Sequence, residues 1–91
     1  MADVAIFQMP PFKRAYKKLH PQQKSKVDEA IKEIVCDPEK GEQKKGDLSS
    51  VWVYKFKIDR QEQLLAYQWN PSERILLLLG THENFYRNLK R

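Results

Sequence analysis

With 91 residues and 41% apolar content the chain can fill one modest core, which excludes two independent domains, so residues 1–91 are expected to form a single domain. Lys plus Arg number 17 against 12 acidic residues, a formal charge of +5 with a pI near 9.4; that balance favours a polyanionic partner, with a merely solvated basic surface as the alternative. A single cysteine, Cys36, excludes an internal disulfide, no basic-then-apolar leader opens the chain, and the histidines and cysteine are too scattered to space a zinc site, so a cytoplasmic protein without metal or cofactor is expected.

Val4-Ala5-Ile6-Phe7-Gln8-Met9 has the β-branched and aromatic content of a short strand, which Pro10-Pro11 ends. Phe12, Ala15, Tyr16 and Leu19 follow at helical spacing, and Lys13, Arg14, Lys17 and Lys18 fill the outer positions of an amphipathic helix with a basic face. His20-Pro21 interrupts it, and a proline suits the first turn of a new helix because its missing N–H would have had no partner there. Val27, Ala30, Ile31, Ile34 and Val35 form a second stripe that ends before Asp37-Pro38, completing a helical hairpin. His20 reads as a turn and cap residue, since no other reactive group is fixed near it in sequence.

From Asp37 to Ser50 the composition turns polar and basic, which predicts a solvated connection with a few extended residues near Lys44 to Leu48. Val51 to Ile58 alternates as a strand, with Trp52, Tyr54, Phe56 and Ile58 on the core face and Val51, Val53, Lys55 and Lys57 on the other. Lys55 and Lys57 therefore point the same way as a rigid cationic pair, either two solvated charges or a phosphate contact. Asp59 to Glu62 is a polar turn, Gln63 to Trp69 the return strand of an antiparallel hairpin, and Asn70-Pro71-Ser72 the next turn. The five apolar residues Ile75 to Leu79 are too few to span a membrane and read as a strand covered on both faces, around which the sheet is built.

Gly80 is expected to break that run, Thr81 to cap a final helix, and Glu83 to lie at its positive end. His82, Phe85, Tyr86 and Leu89 then share one side, with Arg87, Lys90 and Arg91 towards the outside. A first-turn position disfavours imidazolium, and a neutral histidine suits general base work; half-buried packing beside Phe85 and Leu89 is the structural alternative. The order β-α-α-β-β-β-α predicts an α+β fold, a helical hairpin packed on one face of a twisted, mostly antiparallel sheet.

Read together, this element order, the Tyr54-Lys55-Phe56-Lys57-Ile58 strand, the Leu64-Leu65-Ala66-Tyr67-Gln68 return strand and the close from Gly80-Thr81-His82 to Tyr86 resemble the RelE/ParE superfamily of bacterial type II toxins over nearly the whole chain. The lysine pair is similar to that of the RelE branch, and the close is similar to that of the YafQ branch. The resemblance implies a ribosome-dependent endoribonuclease that cleaves mRNA and inhibits translation without a metal, with Lys55, Lys57, His82 and Tyr86 as catalytic residues. It also implies a cognate antitoxin, with which the chain would form a hetero-oligomeric complex, besides ribosome and mRNA, and no membrane. Arg87, Arg60, Arg74, Lys13, Arg14 and Lys17 are the candidate RNA contacts.

The chain departs from both branches. Leu64 stands where RelE has an arginine and Leu78 where YafQ has one, and YafQ's upstream histidines are unmatched; Arg60, Arg74 or Arg87 is left to supply the charge from another backbone position. A ParE-type toxin, which traps DNA gyrase without nuclease chemistry, is the main alternative, and a member that only binds RNA or antitoxin is a third.

Overall fold

Prolines set the first boundaries. In the computed structural model, which describes residues 4–44 and 50–81, strand β1 (Ala5–Gln8) gives way directly to helix α1 (Pro10–Lys17), whose two opening prolines occupy positions where no intrahelical N–H bond is lost. Helix α2 (Pro21–Cys36) starts the same way, with His20 as its N-cap residue and the His20 N–H donating to Gln23 Oε1 at 2.9 Å. A single 3₁₀ turn (Pro38–Lys40) leads into the two-residue strand β2 (Glu42–Gln43). The strands β3 (Trp52–Ile58), β4 (Gln61–Asn70) and β5 (Glu73–Thr81) follow.

The five strands form one sheet in the order β1-β5-β4-β3-β2, with β1 parallel to β5 and every other neighbour antiparallel. Two helices packed on a mixed five-stranded sheet make this an α+β fold. The expected final helix lies outside the described residues. The connection carries an extended pair at Glu42–Gln43; of the Lys44–Leu48 stretch expected to extend, residues 45–48 lie outside the described residues.

The helices cover one face of the sheet, where Phe12, Val27, Ala30 and Ile34 meet Ile58, Leu65, Tyr67, Leu76 and Leu79. Trp52, Tyr54, Phe56 and Trp69 border this core, as the alternation in β3 predicts. The opposite face differs from expectation: Val51, Val53, Leu64 and Ala66 are also buried and form a second cluster with Leu77 and Leu78 beside it. A register shift opposite Ala66 and Tyr67 leaves Leu77 unpaired with β4, so Leu77 and Leu78 both turn to this second cluster while Leu76 and Leu79 stay on the first.

Two further expectations are corrected. The sheet is centred on β4, whose Leu64, Leu65, Ala66 and Tyr67 are all 0% exposed, and not on β5, although β5 packs on both faces through Leu76 and Leu79 on one side and Leu77 and Leu78 on the other. Gly80 does not end the apolar strand, since Gly80 and Thr81 continue β5 in register with Leu64 and Gln63.

The connection after α2 is pinned by one buried phenol. Tyr67 Oη donates to Pro38 O at 2.6 Å and accepts from the Gly41 N–H at 3.1 Å. Gly41 is required for close approach: a Cβ there would lie 2.6 Å from Tyr67 Oη and 2.9 Å from Val53 O. Gly41→Ala is expected to destabilise the fold by about 1–3 kcal/mol, the usual range for overpacking, read as a lower Tm.

Burial, above all, raises the Tyr67 pKa over its ordinary value of 10.0, although the Gly41 N–H opposes the shift. A raised folded-state pKa contributes stability that is fully present below pH 10 and is lost as pH rises through the folded value. Denaturant midpoints should therefore fall above pH 10, and less so in Tyr67→Phe.

Candidate nucleic-acid interface

Strand β3 positions the principal candidates. Period-2 alternation sends Val53, Lys55 and Lys57 to the face away from the helices, and their cross-strand partners Ala66, Leu64 and Glu62 extend the same rows on β4. That face is graded along the strands, with buried Val53 and Ala66 at one end and exposed Lys55 and Lys57 towards the β3–β4 turn. The row of Lys55 continues through Leu64 to Gly80 on β5. At about 4.8 Å per strand, the backbone of Gly80 lies roughly 10 Å from that of Lys55.

Both lysines lack a carboxylate partner among the described residues, where the ion pairs are Lys26–Glu29 and Lys40–Glu33. Lys57 sits opposite Glu62 in register without an ion pair to it. Among the described residues no strand pairs with the outer edge of β3 beyond Val53, because β2 pairs only with Trp52 and Val53. Along it Tyr54 stacks on Phe56, with ring centroids 6.1 Å apart and planes 15° from parallel. A cavity of about 230 Å³ lies here between Lys55, Tyr54 and the Lys40–Glu42 segment.

Arg60 stands at the tip of the same hairpin. Ile58 pairs with Gln61, so Asp59 and Arg60 form a two-residue turn, with φ of 50° and 71°. Positive φ at both positions is the hallmark of a type I′ turn, which glycine or asparagine ordinarily fills and which costs about 1–2 kcal/mol per residue with a larger side chain. The polar turn expected over Asp59 to Glu62 is thus only two residues long, and with no glycine in it the sequence gives no signal of its left-handed backbone.

Arg74, expected as a candidate RNA contact, is built into the scaffold and not onto the surface. It is 3% exposed, and its guanidinium donates through Nε to Ile34 O at 2.8 Å, through Nη1 to Asn70 O and Glu73 O at 2.7 and 2.9 Å, and through Nη2 to Val35 O at 3.0 Å. Those α2 carbonyls belong to its last turn, which has no intrahelical partners, so Arg74 closes the helix C-terminus and complements its dipole. Trp69 lies 5.8 Å from the guanidinium and completes the enclosure.

Lys13, Arg14 and Lys17 are exposed on α1 around the buried Phe12, on the side of the sheet opposite Lys55 and Lys57. The basic residues thus form two surfaces. Arg14 and Lys18 also edge a cavity of about 470 Å³, whose other wall is Leu77, Leu78 and Leu79 of β5. His82, Tyr86 and Arg87 lie outside the described residues. Among the described residues no His, Cys, Asp and Glu cluster could hold a metal, and no helix is long and apolar enough to cross a membrane.

A helical hairpin on a mixed five-stranded sheet, with Lys55 and Lys57 exposed at one end of the face away from the helices, defines the class, a small α+β domain. Residues 6–90 match the family model of the ParE-like toxin of type II bacterial toxin-antitoxin systems, and the chain belongs to that family, within the RelE/ParE superfamily.

Solved structures share the fold. The RelBE2 toxin-antitoxin complex of Mycobacterium tuberculosis aligns with a TM-score of 0.73 at 16% identity, over 90% of this chain and 94% of that one. The intact Escherichia coli RelBE complex aligns at 0.68 and 14% identity, over 86% and 95%. A YoeB/ParE toxin from Agrobacterium tumefaciens gives 0.68 and 15% identity, over 87% and 99%. No curated protein sequence matches the chain.

Proposed function

We propose that this toxin is a ribosome-dependent endoribonuclease acting on mRNA in the cytoplasm, with residues 1–91 working as one domain. The observation that carries the reading is the Lys55 and Lys57 pair, exposed side by side on one rigid strand, in the row that runs to the end of β5, with no carboxylate of the described residues neutralising it. Two such cations suit the charge that develops on a phosphate under attack. In this mechanism the 2′-hydroxyl of the substrate attacks the adjacent phosphorus, a P–O bond forms to the 2′-oxygen, and the bond to the 5′-oxygen breaks. His82 takes the proton from the 2′-hydroxyl as general base, and the departing 5′-oxygen takes a proton from the Tyr86 hydroxyl or from water. The nucleophile belongs to the RNA, so the step as written needs no metal.

The proposed protein partner is a cognate antitoxin, as the RelBE relatives are toxin-antitoxin complexes. Two features support a wrapping, acidic and amphipathic segment: the exposed Ile6, Phe7 and Met9 along the edge strand β1, and the basic-rimmed cavity between α1 and β5. Such a complex should weaken as salt rises.

Membership of the ParE-like family supports a second reading, the inhibition of DNA gyrase that a ParE-type resemblance implies. Inducing the chain in cells separates the two. Cut mRNA with arrested translation is expected; gyrase-linked DNA breaks over intact mRNA would establish the alternative.

A further inference from the structure

We propose that Arg60 is an RNA-phosphate contact that the β3–β4 hairpin holds at the expense of a strained turn; the proposal rests on the RNA reading of the Lys55 and Lys57 face. Arg60 has φ of 71°, a backbone conformation that glycine adopts freely and arginine does not. Among the described residues the side chain gives the fold nothing in return. It is exposed, and it forms no hydrogen bond or ion pair among the described residues. Strain without a structural reward points to a role outside the folded chain.

The position suits that role. Lys55 and Lys57 are one strand repeat apart, about 7 Å, and Arg60 follows at the tip of the same rigid hairpin, so the cations succeed one another along β3 as phosphates do along a single strand of RNA. A guanidinium also offers a planar fork that grips a phosphate through two parallel N–H bonds, which an ammonium does not. Arg74, which follows β4, is removed from contention because its guanidinium is buried against carbonyl oxygens. The ligand class is single-stranded RNA, bound through its phosphodiester backbone and not through a particular base.

The test uses the full chain, a short mixed-sequence single-stranded RNA, and two readouts: binding by fluorescence anisotropy across a KCl series, and thermal unfolding. Arg60→Gly should move them in opposite senses. Its Tm should rise by about 4 °C or more as the turn relaxes. Its RNA affinity should fall several-fold, and the slope of log K against log salt should flatten by about 0.7, the loss of one single-strand phosphate contact. Arg60→Lys should keep the wild-type slope without the gain in Tm.

An Arg60→Gly chain that binds RNA with wild-type affinity and slope overturns the proposal, and so does one no more stable than wild type, since the strain is half of the claim. If Lys55→Ala/Lys57→Ala loses binding while Arg60→Gly does not, only Arg60 leaves the site. If the wild-type chain fails to bind the RNA at low salt, the RNA reading falls and Arg60 with it.

Discussion

The Lys55→Ala/Lys57→Ala double variant should fold as the wild type does and lose mRNA cleavage by more than about 10²-fold, since removing one preorganised donor to developing charge typically costs about 10²–10³ in rate. Folding should be spared because both side chains are exposed and neither pairs with a described carboxylate, so their removal leaves no cavity and no orphaned charge. The loss should fall mainly on the rate at saturating ribosomes if the ammonium groups act on the transition state, and on KM if they only hold RNA. Primer extension on a ribosome-bound message, run alongside thermal unfolding of the same preparation, checks both halves. A variant that cuts at the wild-type rate would remove the pair from the site.

Arg74→Ala carries the largest expected loss of stability, on the order of 4 kcal/mol, because four charge-assisted hydrogen bonds disappear together and the last carbonyls of α2 are left buried without donors. For a domain of this size that is a fall in Tm of more than about 15 °C, a large part of the 5–15 kcal/mol total typical of small proteins. Arg74→Lys should recover only part of it. An ammonium cannot span carbonyls on α2 and on the β4–β5 turn, as the planar fork does. Circular dichroism melts of the two variants measure the difference directly, and a wild-type Tm for Arg74→Ala would contradict the assignment of this residue to the scaffold.

The lysine pair and Arg74 also mark what the sequence makes legible and what it does not. The alternation of β3 is legible because a strand has period 2 and the residues alternate between aromatic and charged, so the placement of Lys55 and Lys57 on one face follows from pattern alone. The helices are legible for the same reason, through their apolar stripes and opening prolines. Arg74 is different. Flanked by a turn and a glutamate it looks like any surface arginine, and the Ile34 carbonyl that claims it is 40 positions away in the chain.

Burial order was obscured by composition. The unbroken Ile75–Leu79 run drew attention to β5, whereas β4, with Gln61, Gln63 and Gln68 in its length, is the strand in the middle of the sheet. The second buried cluster is also a tertiary result, since nothing in the spacing of Val51 and Val53 distinguishes a covered face from a wet one. The Asp59-Arg60 turn lacks the glycine by which type I′ turns are recognised, so its left-handed backbone emerges only from the structure.

Primer extension on a ribosome-bound message incubated with the purified wild-type chain bears most directly on the Lys55 and Lys57 face as an RNA-cleaving site. Discrete new 3′ ends inside the reading frame, present with wild type and absent with Lys55→Ala/Lys57→Ala, are the expected result. An intact message, in the presence of a chain that blocks gyrase supercoiling in a parallel assay, would contradict it.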